Sequence, residues 1–164
     1  MTLTALNADH AMPGRLDLVE GPGGLPFIRV RNDHAQALVS VHGGQVLSFP
    51  PTGAGADVLF VSEQAFFQPG KAIRGGVPIC WPWFGPDPQG QGRPAHGFVR
   101  TRRWDLRQTS ALPNGETQVV LGLNDTADTR ALWPHAFDLS LTITIGTTLR
   151  LALTTRNTGD TAFE

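Results

Sequence analysis

The segment Asp138-Leu-Ser-Leu-Thr-Ile-Thr-Ile-Gly146 alternates apolar and polar residues almost without a break, and Thr148-Leu-Arg-Leu-Ala-Leu-Thr-Thr-Arg156 repeats the pattern after Thr147. A period of two puts Leu139, Leu141, Ile143 and Ile145 on one face of an extended strand, and Leu149, Leu151 and Leu153 on one face of the next. A helix would scatter these residues around its circumference. Two such strands joined at Gly146-Thr147 make a hairpin, one half of a sandwich.

Working outward, Pro113-Asn114-Gly115 is the strongest hairpin-turn signal in the chain, with strands read on either side over 103–108 and 117–123. Further upstream, short alternating or apolar runs predict strands around Leu16 and Leu18 and over 27–31, 37–41, 46–49 and 57–62, the last largely buried by its apolar content. Their connections are short, so the sheet is expected to be antiparallel. Nineteen glycines and thirteen prolines leave little room for long helices. The best helical candidate is 125–133, capped by Asp125 or Thr126 and stopped by Pro134. Ser62 is placed to cap a brief helical turn before Pro69-Gly70. The first dozen residues, polar and unpatterned, read as a frayed arm or an early edge strand. The fold class is all-β, taken as a single domain over residues 1–164.

Apolar residues make up 40% of the 164 positions and charged residues 16%, a globular composition. Thirteen basic against fourteen acidic residues give a net charge of -1, so no global basic field draws nucleic acid to the chain. Cys80 is the single cysteine and cannot form an internal disulfide; between Ile79 and Trp81 it reads as a small buried hydrophobe, with a catalytic thiol as the lesser alternative. No window approaches the roughly 18 apolar residues of a membrane span, and residues 1–14 lack an export signal. The expectation is a cytoplasmic protein with no membrane partner and an unassigned oligomeric state.

Chemistry concentrates in residues 72–104, where Ala-Ile-Arg-Gly-Gly-Val-Pro-Ile-Cys-Trp-Pro-Trp-Phe-Gly-Pro is followed by Pro-Ala-His-Gly-Phe-Val-Arg-Thr-Arg-Arg-Trp. Glycines and prolines there predict a rigid irregular backbone, carrying Trp81, Trp83 and Phe84 beside Arg74, His96 and Arg100. Aromatic faces with fixed guanidiniums suit a ring-shaped anionic small molecule such as a sugar phosphate. The alternative is that the aromatics are core packing and the arginines a solvated rim. The polar run Asp87–Arg93 is expected to be a mobile lip. His34 and His42 read as surface or hydrogen-bonded histidines. His135 reads as closing the short helix on a backbone bond. Asp87 and Asp105 have no histidine at useful spacing, so no metal and no cofactor is predicted.

These motifs, with Gly43-Gly44-Gln45-Val46-Leu47-Ser48, Thr129-Arg130-Ala131-Leu132-Trp133-Pro134-His135-Ala136-Phe137 and Asn157-Thr158-Gly159-Asp160 in order, resemble the hexose-6-phosphate mutarotase branch of the aldose 1-epimerase family. The resemblance implies a mostly antiparallel, galactose mutarotase-like β-sandwich (supersandwich). It also implies interconversion of the α and β anomers of a hexose 6-phosphate by acid/base ring opening and closure. Substrate binding falls by resemblance on Arg74, His96 and Arg100, while Ala95 stands where some members carry a binding glutamine. The histidine acid and glutamate base that the resemblance implies are expected beyond Glu164, with the chain as given a truncated amino-terminal portion and no catalytic residue within it. A noncatalytic carbohydrate-binding sandwich and a nucleic-acid-binding β domain are the rival readings, the latter disfavoured by the neutral charge.

Overall fold

The protein is described here by a computed structural model covering residues 2–163. The Thr2 hydroxyl accepts the Ala5 amide at 3.3 Å and opens α1 (Leu3–His10), which replaces the expected arm or edge strand. Local pattern gives this helix little, since Leu6 is its one buried side chain. Its anchor is tertiary: the Asn7 amide group donates to the Leu18 carbonyl and accepts from the Leu18 N–H, both at 2.8 Å.

The strands β1 (Leu16–Glu20), β2 (Pro26–Arg31), β3 (Gln36–Ser40) and β4 (Gln45–Ser48) follow, pairing antiparallel in sequence order. The second sheet holds β5 (Asp105–Ala111), β6 (Thr117–Asn124), β7 (Phe137–Ile145) and β8 (Leu149–Asn157), again antiparallel and in order. Between β6 and β7 lies α2 (Ala127–Leu132), where the sequence places it. Thr126 and Thr129 form its reciprocal capping box.

Alternation in β7 does what its pattern requires. Phe137, Leu139, Leu141, Ile143 and Ile145 are all fully buried, each contributing about 1.5–3 kcal/mol by leaving water. They meet Leu16, Leu18, Ile28, Val30 and Val39 of the first sheet in one apolar cluster, so the two sheets form a sandwich. On β8, Leu149 and Leu151 are half-buried and Leu153 is exposed. This strand pairs only with β7 among the described residues, and its apolar face is less covered than the expected hairpin implies.

Polar ties cross between the sheets at one end. The Asn32 amide donates to Thr117 Oγ1 and to the Ile145 carbonyl, both at 3.0 Å, while its oxygen accepts the His34 and Ala35 amides. Arg15 adds bonds to the Gly115 carbonyl and Thr117 Oγ1.

A second apolar cluster, Leu25, Phe27, Leu47 and Ile73 with Val61 and Phe67 packed against it, sits on the other face of the first sheet. The covering segment is irregular, correcting the strand expected over 57–62. Asp57 spends its carboxylate on Ser48 Oγ and on the Phe49 and Leu59 amides, which curls the chain. Val58 and Phe60 are left exposed. Among the described residues this stretch forms an isolated bridge, Val61–Gly75, and no strand, a case of local contacts overriding β propensity. Ser62 closes a single turn through Gln64 and Ala65 and starts no helix.

Candidate active site

Residues 71–78 and 95–100 form two walls of an open cleft of about 710 Å³. The first wall is held by β4. The buried Gln45 side chain donates to the Ile73 carbonyl at 3.3 Å and to the Gly75 carbonyl, the two that flank Arg74. Val77 N–H bonds to the Val46 carbonyl at 2.8 Å and Gly76 N–H to the Phe60 carbonyl at 2.7 Å. Gly76 has φ 59°, and a Cβ there would sit on the Val46 carbonyl oxygen. The sequence thus needs glycine where this loop presses onto β4.

The second wall is held by the strip 81–85. Trp81 and Gly97 form a parallel bridge, and the Phe98 N–H donates to the Trp81 carbonyl at 3.1 Å. Gly97, at φ 69°, has no room for a Cβ against that same carbonyl. His96 takes the left-handed region at φ 66°, uncommon for a non-glycine residue and of the kind that collects at binding sites. Its N–H donates to the Gly85 carbonyl at 2.7 Å, and the Gly85 N–H donates back to His96 Nδ1 at 3.1 Å. Nδ1 is therefore the unprotonated nitrogen and Nε2 carries the hydrogen. Beyond it, the turn Val99–Thr101 is fixed by the Trp104 indole N–H on the Val99 carbonyl at 3.1 Å.

Arg74, His96 and Arg100 line this one cleft. Arg100 Nη2 donates to the Ala95 carbonyl at 3.0 Å, and the rest of its fork has no partner among the described residues. Arg74 is exposed and its side chain has no hydrogen-bond or ion-pair partner among the described residues. Two further wall residues escaped the sequence reading. Lys71 adds a third cation, its Nζ 5.8 Å from the centre of the Phe66 ring, and Phe66 lines the cleft as well. Lys71 directly precedes the motif, and adjacency alone was the available signal. No carboxylate among the described residues lines the cleft. The polar side chains it presents are guanidinium, ammonium and imidazole, all carrying N–H donors.

Other sequence-singled residues have structural employment. Trp81 packs among Phe98, Trp133, Phe137 and Phe163. Trp83 is covered by the Arg93 guanidinium, 4.4 Å from its ring centre, and donates its indole N–H to the Pro94 carbonyl. The expected mobile lip is a tied loop. Arg93 reaches Asp87 through Nε and Nη2 at 2.9 and 2.6 Å, the Gln89, Gln91 and Arg93 amides also donate to that carboxylate, and Arg93 Nη1 meets the Leu132 carbonyl. These two side chains are only 6% and 7% exposed. The Arg93 hydrogen bonds, aided by the backbone amides, hold the Asp87 carboxyl far below the usual carboxylate range. His42 is buried with Nε2 against the Lys71 carbonyl at 2.7 Å, and His34 bonds to the Asn114 carbonyl. The His135 N–H bonds to the Trp133 carbonyl at 2.8 Å, while its ring Nδ1 is buried with no hydrogen-bond partner among the described residues and the ring packs on Trp133 and Phe163. Cys80 is partly buried. No group of three or more His, Cys, Asp or Glu among the described residues could hold a metal ion, and no helix is long and apolar enough to cross a membrane.

Residues 26–164 match the family model described as Aldose 1-epimerase. The chain belongs to the aldose 1-epimerase family. A Salmonella typhimurium protein named "Putative glucose-6-phosphate 1-epimerase" is 40% identical over 129 residues, which are 79% of this epimerase-family chain and 43% of that protein. The crystal structure titled as a "putative mutarotase (YeaD)" from Salmonella typhimurium superposes with a TM-score of 0.82 at 34% identity, covering 90% of this chain and 48% of that one. A galactose mutarotase related enzyme from Lactobacillus acidophilus shares the fold at a TM-score of 0.61 and 13% identity, over 80% of this chain and 44% of that one. The sandwich of this aldose 1-epimerase family member is thus galactose mutarotase-like, and the chain spans about half the length of the relatives it matches.

Proposed function

We propose that this chain serves the interconversion of the α and β anomers of hexose 6-phosphates, and that the cleft holds the phosphorylated sugar. The observation that carries the reading is the meeting of Arg74, His96 and Arg100, with Lys71, in one cleft whose described lining has no carboxylate. A phosphate dianion is matched by two guanidinium forks and an ammonium. His96 Nε2–H is a donor suited to a sugar or phosphate oxygen. In this reading the substrate-binding residues are Arg74, His96 and Arg100, and the proton-transferring histidine and glutamate are supplied outside residues 1–164. The site is expected in the cytoplasm, because a doubly charged sugar ester does not cross a bilayer unaided.

The test is a titration of the chain with glucose 6-phosphate followed by 31P NMR, paired with exchange NMR of its anomers in the presence of the full-length protein. Binding that depends on Arg74 and Arg100, with faster anomer exchange by the full-length protein, supports the proposal. Absence of binding overturns it. That no described residue lining the cleft is a carboxylate favours, as a second reading, a noncatalytic sugar-phosphate-binding sandwich. Binding by the full-length protein with no acceleration of exchange would select that second reading.

A further inference from the structure

Of the three aromatics that the sequence offered as faces for a sugar, the structure leaves one open. Trp81 is enclosed by four other rings, and the face of Trp83 carries the Arg93 guanidinium. Phe84 is 82% exposed. Its sole ring partner among the described residues is His96, 4.8 Å between centroids with 67° between the planes. Phe84 thus stands just outside the cleft lining, against His96, while Phe66, the aromatic within that lining, already has Lys71 Nζ over its ring.

An isolated exposed phenylalanine is ordinary. Phe84 differs in what holds it. The next residue, Gly85, has both its N–H and its carbonyl bonded to His96, and Pro86 and Pro82 restrict the backbone on either side. The ring is therefore presented by stiff backbone beside an imidazole that lines the anion cleft, and binding to it loses little conformational freedom. Aromatic faces are electron-rich and attract the weakly positive C–H groups of a ligand. A hexopyranose with equatorial hydroxyls has such a face, made of its axial C–H bonds.

We infer that Phe84 is a specificity-determining residue beside the cleft, the platform on which the sugar ring of a hexose phosphate rests while the cations take its phosphate. The inference rests on the hexose 6-phosphate reading of the cleft and adds to it the means of telling a pyranose phosphate from other phosphate monoesters. A linear ester such as glycerol 3-phosphate offers the same charge and no ring. Phe84 sets the preference between the two, and its replacement leaves phosphate capture intact.

The experiment measures the affinity of wild type, Phe84→Ala and Phe84→Trp for glucose 6-phosphate and for glycerol 3-phosphate by isothermal titration calorimetry. Thermal melts run alongside check the fold, which so exposed a ring scarcely supports. Wild type is expected to favour glucose 6-phosphate, and Phe84→Ala to weaken that ligand about 5- to 10-fold while leaving glycerol 3-phosphate unchanged. Phe84→Trp should retain the preference. Equal weakening of both ligands, or none for glucose 6-phosphate, overturns the platform while the cleft reading stands. If wild type binds neither ligand, the cleft reading falls and the platform with it.

Discussion

His96 and Gly85 hold each other by two reciprocal bonds, Gly85 N–H to His96 Nδ1 and His96 N–H to the Gly85 carbonyl. The pair fixes the imidazole as the Nε2–H tautomer and fixes the turn that carries Phe84. Nitrogen-15 NMR of the neutral ring should accordingly report a protonated Nε2 and a bare Nδ1. His96→Ala should lower sugar-phosphate affinity by about 1–2 kcal/mol, roughly 5- to 30-fold. A ring protonated at Nδ1 in the neutral state would refute the assignment.

Arg74 and Arg100 should act on affinity with little effect on folding, because Arg74 has no partner among the described residues and Arg100 has one surface bond, to Ala95. Each change to alanine is expected to weaken glucose 6-phosphate by about 1.5–3 kcal/mol, roughly 10- to 150-fold. Lysine should restore only part of it, since an ammonium lacks the planar fork. Unaltered affinity in both alanine variants would remove the phosphate from this cleft.

Gly97→Ala should cost at least about 2 kcal/mol of stability, from left-handed strain and from crowding of the Trp81 carbonyl. A urea midpoint unchanged from wild type would show that the two strips are not in contact as described.

Asn32→Ala removes four bonds that span the two sheets or hold the turn after β2. A loss of about 2 kcal/mol and a fall in Tm of about 4–8 °C are expected, visible by calorimetry. The Ile145 carbonyl and Thr117 hydroxyl would be left without that partner.

Acid should loosen the loop after Phe84. Bonding to Arg93 depresses the folded-state affinity of Asp87 for a proton, so its stabilisation is complete above the unfolded value, about pH 4, and is lost as pH falls toward the depressed folded value. Asp17, held low by Arg29, and Glu116, held low by Arg150, act with the same sign. Comparing urea midpoints of wild type and Asp87→Asn at pH 6 and pH 3 isolates the contribution of Asp87. The advantage of wild type should shrink at the lower pH, and an advantage that grows would contradict the pairing.

Strand alternation made the second sheet legible, since Leu139 through Ile145 each bury on one side. Around 57–62 the same apolar signal misleads, because Asp57 bonds back to Ser48 and Phe49 and turns the chain out of register, a contact no periodicity encodes. The helix α1 was hidden for a related reason: its support is the distant Leu18 backbone, and its own residues show no apolar stripe. The cleft was read in part. Arg74, His96 and Arg100 stood out by residue type beside glycine turns, whereas Gln45 acts from a strand and Lys71 from a loop of ordinary composition. The aromatic run could be seen but not sorted, as burial of Trp81 depends on Trp133 and cover over Trp83 on Arg93 and Pro94, residues distant in sequence.

The two walls of the cleft hang from separate fastenings, Gln45 for the Arg74 loop and the Trp104 indole for the Arg100 turn. An anion grasped from both sides works as a clasp between them. Occupancy should then raise the energy of local opening, by about 2.7 kcal/mol at a hundredfold excess over Kd, so that amides on opposite banks become slower to exchange in concert when substrate is present.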